Sequence, residues 1–116
     1  MSEYYNEVSE TIQGIVNNGF KLIKVDYDRG YGETEGEDYI DCSAGNIGKA
    51  VDAVLAVDEC HLYLKTPSGD EVWVYFVLGN DRGECVNDWI APSDLNERER
   101  LHSAIEEVYN KYQEAQ

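Results

Sequence analysis

Residues 60–90 read CHLYLKTPSGDEVWVYFVLGNDRGECVNDWI, and their alternation decides the fold. Cys60, Leu62 and Leu64 alternate with His61, Tyr63 and Lys65, the period-two signature of a half-buried strand. Pro67-Ser68-Gly69-Asp70 carries turn chemistry, with Pro presetting one dihedral and Gly accepting a left-handed backbone. Glu71 to Leu78, EVWVYFVL, is apolar on both faces. That marks a central strand covered on both sides, or covered by helix on one side and lined with aromatics on the other. Gly79 to Gly83 turns again, and Glu84 to Ile90 supplies a shorter third strand. Three consecutive strands on short turns predict an antiparallel meander.

Outward from this meander, helical and extended segments are distinguished by period. Tyr5, Val8, Ile12, Ile15 and Val16 recur at three- and four-residue spacing, which predicts a helix over about residues 3–18, with Ser2 as its cap. Asn17-Asn18-Gly19 is a helix stop. Phe20 to Tyr27, FKLIKVDY, reads as a strand, with Phe20, Leu22 and Lys24 on one face and Lys21, Ile23 and Val25 on the other. Gly30, Gly32 and Gly36 make Asp28–Asp41 an acidic, glycine-rich loop, with room for a short strand at its end. Ser43 is expected to cap a helix over about residues 44–57, with Ile47, Ala50, Val51, Val54 and Leu55 buried. Asp94 and Glu97 form an acidic capping box for a last helix, over about residues 95–114, that buries Leu101, Ala104, Ile105, Val108 and Tyr112. The expected order is α-β-α-β-β-β-α. It describes an α+β domain spanning residues 1–116, with helices mainly on one face of a three-strand meander and the first strand at an edge.

From Val72 to Ile90, with the Gly79-Asn80 turn and the Asp88-Trp89 strand end, the sequence resembles a loose group of small acidic bacteriophage and mobile-element proteins, mostly without known activity. The preceding VLAVDECHLYL fits the same layout, so the resemblance covers about residues 43–101. It implies a phage or bacterial setting and an intracellular location, and it brings no catalytic residues.

Charge constrains partners. The chain has 24 acidic against 9 basic residues, a formal net charge of −15. Affinity for phosphate comes mainly from Lys and Arg, so direct nucleic-acid binding is disfavoured, as is an anionic membrane surface. A basic protein partner, such as a nucleic-acid-binding host protein, is favoured by electrostatic steering. The same acidity also serves plain solubility. The charge concentrates between Asp26 and Asp41, where Asp26, Asp28, Glu33, Glu35, Glu37, Asp38 and Asp41 are offset only by Arg29. No apolar run approaches a membrane span and the N-terminus lacks signal-peptide character, so a cytoplasmic location is expected.

Tests for chemistry return little. Asp26, Asp28 and Glu37 fall at the first, third and twelfth positions of an EF-hand-like loop. The match then fails at Gly30, which has no side-chain oxygen, and at Tyr31, where the motif needs glycine. The glutamates of GYGETEG would repel phosphate. Cys42, Cys60 and Cys85 form no metal-binding spacing. Cys60 and Cys85 read as core residues, while Cys42 stands at a loop-to-helix junction where more exposure is expected. His61 and His102 complete no recognisable nucleophilic arrangement. No catalytic residue, metal ligand or cofactor is assigned.

Trp73, Tyr75 and Tyr63 should share one sheet face, opposite Val74 and Leu62, and Trp89 is expected to join them. Because three helices must bury their stripes, we expect that face to be covered. Left open, it would be an interface patch. The function expected is a non-enzymatic module that binds or inhibits a basic protein, in its sharper form as a nucleic-acid mimic. Asp26, Asp28, Glu33, Glu35, Glu37, Asp38, Trp73 and Tyr75 are its candidate residues. The alternative is a self-associating subunit such as a homodimer, joined through the aromatic face or a sheet edge.

Overall fold

A computed structural model of the chain describes residues 4–27, 39–79 and 83–114. Its elements run α1 (Tyr5–Asn17), β1 (Lys21–Asp26), β2 (Tyr39–Asp41), α2 (Ile47–Leu55), β3 (Glu59–Lys65), β4 (Glu71–Val77), β5 (Val86–Trp89) and α3 (Leu95–Glu114). The five strands form one antiparallel sheet in the order β2-β1-β3-β4-β5. The fold is α+β, and the meander is present as β3-β4-β5. The short strand at the end of the acidic loop is present too, as β2. β1 joins the meander at its β3 edge, as expected, and β2 pairs on the other side of β1, which makes β1 an inner strand of the five.

The sheet has one aliphatic face. Val25, Cys60, Leu62, Leu64, Val74 and Phe76 are completely buried there, and Leu22 and Val72 nearly so. Val8, Ile12 and Ile15 of α1, Val51 and Val54 of α2, and Leu101, Ala104 and Ile105 of α3 belong to the same core. The molecule measures 39 × 37 × 21 Å. Its short dimension fits one sheet plus one layer of helices, each about 10 Å thick. No second helical layer is present among the described residues.

Local chemistry accounts for the element ends. Asn46, not Ser43, caps α2, its side chain accepting the Lys49 N–H at 3.1 Å. Ser43 instead donates its N–H to Asp41 Oδ1 at 2.8 Å, which ends β2. The cap expected at Ser2 lies outside the described residues. Asp94 accepts the Glu97 N–H at 2.9 Å and caps α3. Glu97 does not complete the box, because its carboxylate takes the N–H and hydroxyl of Ser68 at 2.8 and 2.9 Å. Glu97 thus fastens the β3–β4 turn to the start of α3, and it is buried in doing so.

The second internal tie is Glu7, which is fully buried on α1 and accepts the Gly83 N–H at 2.6 Å. The apolar stripe of α1 is accordingly rotated from the expected one. Glu7 and Thr11 are buried, while Tyr5 is exposed.

Candidate functional site

The sheet face away from the helices carries the side chains that sequence alternation grouped together. His61 opposes Tyr75, and Tyr63 opposes Trp73, across the β3–β4 ladder. All four are half-buried, whereas Leu62 and Val74, one residue along, are fully buried. No helix or further strand lies over them among the described residues. The expectation that the helices would cover this face is therefore corrected. All three helical stripes are accommodated on the aliphatic side, because Tyr hydroxyls, the Trp N–H and the His ring each need polar company that Leu and Val do not.

The rings pack on one another. His61 stacks on Tyr75 with centroids 4.6 Å apart and meets Trp73 edge-to-face at 4.6 Å. Lys24, registered with Tyr63 through β1, places its Nζ 5.1 Å from the Tyr63 ring centroid and 5.2 Å from that of Tyr39. The Tyr75 hydroxyl donates to Glu59 Oε1 at 2.8 Å. Acidic positions surround this cluster. Asp26 registers with His61, Asp41 with Lys24, Glu71 with Lys65 and Asp88 with Tyr75. The Ser43 N–H holds the Asp41 carboxyl below its ordinary pKa, so Asp41 stays charged across the neutral range.

Of the eight candidate residues, Asp26, Trp73 and Tyr75 meet on this face. Asp28, Glu33, Glu35, Glu37 and Asp38 lie outside the described residues, and so does most of the EF-hand-like loop. His61, Tyr39 and Lys24 also belong to the face. His61 was legible by alternation alone, but Lys24 was hidden by a register irregularity in β1 between Leu22 and Lys24. That irregularity turns Leu22 and Val25 to the core and Lys24 outward.

Trp89 is a correction. It opposes Val74 across β5, on the helical side, and its ring lies 5.9 Å from that of His102 on α3. An irregularity at Asn87, between the Asp88 and Val86 pairings, moves Trp89 off the aromatic face. His61 and His102 consequently lie on opposite sides of the sheet. Trp89, Arg98, Glu99 and His102 line a shallow groove of about 590 Å³ between β5 and α3. A second hollow of about 330 Å³, lined by Val16, Phe20 and Leu22 with Lys21 at its rim, lies beside β1.

All three cysteines are buried, so the exposure expected for Cys42 is corrected. Burial pushes the Cys42 thiol pKa up, and the Asp41 charge adds to that shift while Lys49 opposes it. A thiol held protonated is a poor nucleophile. Cys42 is therefore expected to resist iodoacetamide at neutral pH in the folded chain and to react once the chain is unfolded in urea, as read by mass spectrometry. Ready labelling in the folded chain would contradict the burial.

Among the described residues, no group of three His, Cys, Asp or Glu side chains is placed to hold a metal ion, and no helix is long and apolar enough to cross a membrane. No family model, curated protein or solved structure matches the chain.

Proposed function

We propose that the chain is a non-enzymatic binding module that docks a basic protein on the outer face of its sheet. The observation that carries this reading is the cluster of His61, Tyr63, Trp73 and Tyr75, over which no described helix or strand lies, set among carboxylates on a chain of net charge −15. Aromatic side chains bury large area at little entropic cost and anchor interfaces, and carboxylates around them steer a cationic partner. Asp28, Glu33, Glu35, Glu37 and Asp38 add to the field through the net charge. In the sharper form of the proposal, the partner is a host or phage nucleic-acid-binding protein, inhibited because carboxylates stand in for phosphates in its basic groove. The setting, a bacteriophage or mobile element, rests on the resemblance at Val72–Ile90.

Self-association is the weaker reading for two reasons. Two faces of like charge repel. The sheet edges are also poor templates: β2 has three residues, and β5 has four and is irregular. On β5 the Trp89 N–H is already taken by Asp88 Oδ1 at 2.8 Å.

The test compares the wild type with a W73A/Y75A double variant as bait in a lysate of the native host, eluted with rising salt. A basic protein retained by the wild type, released by salt and lost with the variant is the expected result. Equal retention by both baits would overturn the docking face. A dimer in light scattering that the double variant dissolves would favour the self-associating subunit instead.

A further inference from the structure

Resting on the docking reading above, we propose that the anchor this face takes from its partner is an arginine guanidinium, stacked on Trp73 and held by a neighbouring carboxylate, in preference to a lysine ammonium.

The face already hosts one cation of its own. Lys24 Nζ stands over Tyr39 and Tyr63, both within cation–π distance. Its charge repels a second cation from the β1–β2 side. The β4–β5 side is different. Trp73 is the strongest cation–π host among the residue types present, and no described Lys or Arg stands over its ring. The edge-to-face contact with His61 at 4.6 Å fixes the ring, so little side-chain freedom remains to be lost on docking.

Carboxylates flank the Trp73 position. Glu71 lies two residues earlier on the same face of β4, and Asp88 registers with Tyr75, the next residue along that face. A planar guanidinium can stack on a ring and present two N–H groups to a carboxylate at the same time. An ammonium is a strongly hydrated point charge and gives up more water to lie on a half-buried ring. A methylated lysine would need ring walls on several sides, whereas these rings share one sheet face.

The experiment uses the W89F variant, in which Trp73 is the remaining tryptophan. Its fluorescence is titrated with two synthetic peptides of equal length and charge, one carrying three arginines and the other three lysines between glycines. The arginine peptide is expected to bind about fivefold tighter or better and to quench Trp73. E71Q should weaken the arginine peptide about threefold or more, and W73L, followed by calorimetry, should erase the preference. Equal binding of both peptides, still dependent on Trp73, overturns the arginine anchor and leaves the docking face standing. Binding that W73L and E71Q do not touch overturns the anchor and argues against the face as well. Absence of binding by either peptide at millimolar concentration also overturns the anchor, while the lysate comparison judges the docking reading separately.

Discussion

Phe76→Ala is expected to lower the unfolding free energy by about 3–5 kcal/mol, while Tyr75→Ala, one residue earlier, changes it by about 1 kcal/mol or less. Both are aromatic residues on the same central strand. Phe76 is completely buried on the aliphatic face, where α1, α2 and α3 share the core, so truncation leaves a cavity that neighbouring elements cannot fill. Tyr75 stacks on His61 and donates to Glu59, but its ring is half-exposed, and water replaces what truncation removes. Urea denaturation of the two variants measures the difference. Equal losses would mean that both faces of the sheet are core.

Gly83→Ala is expected to destabilise by about 3 kcal/mol or more, against about 1 kcal/mol for Gly69→Ala. Both glycines have positive φ, +91° and +104°, so the backbone cost is shared. Space separates them. A Cβ on Gly83 would stand 2.9 Å from the Tyr109 carbonyl oxygen and 3.2 Å from Tyr112 Cβ, whereas one on Gly69 would meet nothing within 4 Å. The oxygen that would be struck belongs to the α3 backbone and yields little. Moving the Gly83 segment away would also draw its N–H from the buried Glu7 carboxylate, an acceptor too deep for water to satisfy. Thermal unfolding of the pair separates the steric cost from the dihedral cost. Similar melting temperatures would contradict the close packing of this turn on α3.

The alternation of residues 60–77 carried the architecture because a strand's side-chain period is fixed, and no bulge interrupts the β3–β4 ladder. It placed Leu62 and Val74 together and Tyr63, Trp73 and Tyr75 opposite them, as found. Where a ladder is irregular, the same reasoning fails. Asn87 and the Leu22–Lys24 stretch each shift a strand by one residue, and a one-residue shift exchanges faces. Strict alternation therefore puts Trp89 and Lys24 on the wrong faces. Caps failed differently. Ser43 and Asn46 are both competent cap residues three positions apart, and the choice fell to the one not drawn into the turn after β2.

The candidate site was half legible. Which residues share the aromatic face follows from period alone, but which face the helices choose is a tertiary outcome. One signal was available in composition. On β3 and β4 the helix-covered face is aliphatic apart from Phe76 and Cys60, and the opposite face carries rings with polar tips. Glu7 and Glu97 were unreadable as buried residues, since their partners, Gly83 and Ser68, are distant in sequence.

Everything proposed for this chain depends on the aromatic face being open, and acrylamide quenching of Trp73 in the W89F variant tests that most directly. Efficient quenching is expected in the free monomer, of the order seen for a partly exposed tryptophan, with protection when a basic partner is added. Weak quenching in the free monomer would show that the face is already covered and would contradict the docking surface at its source.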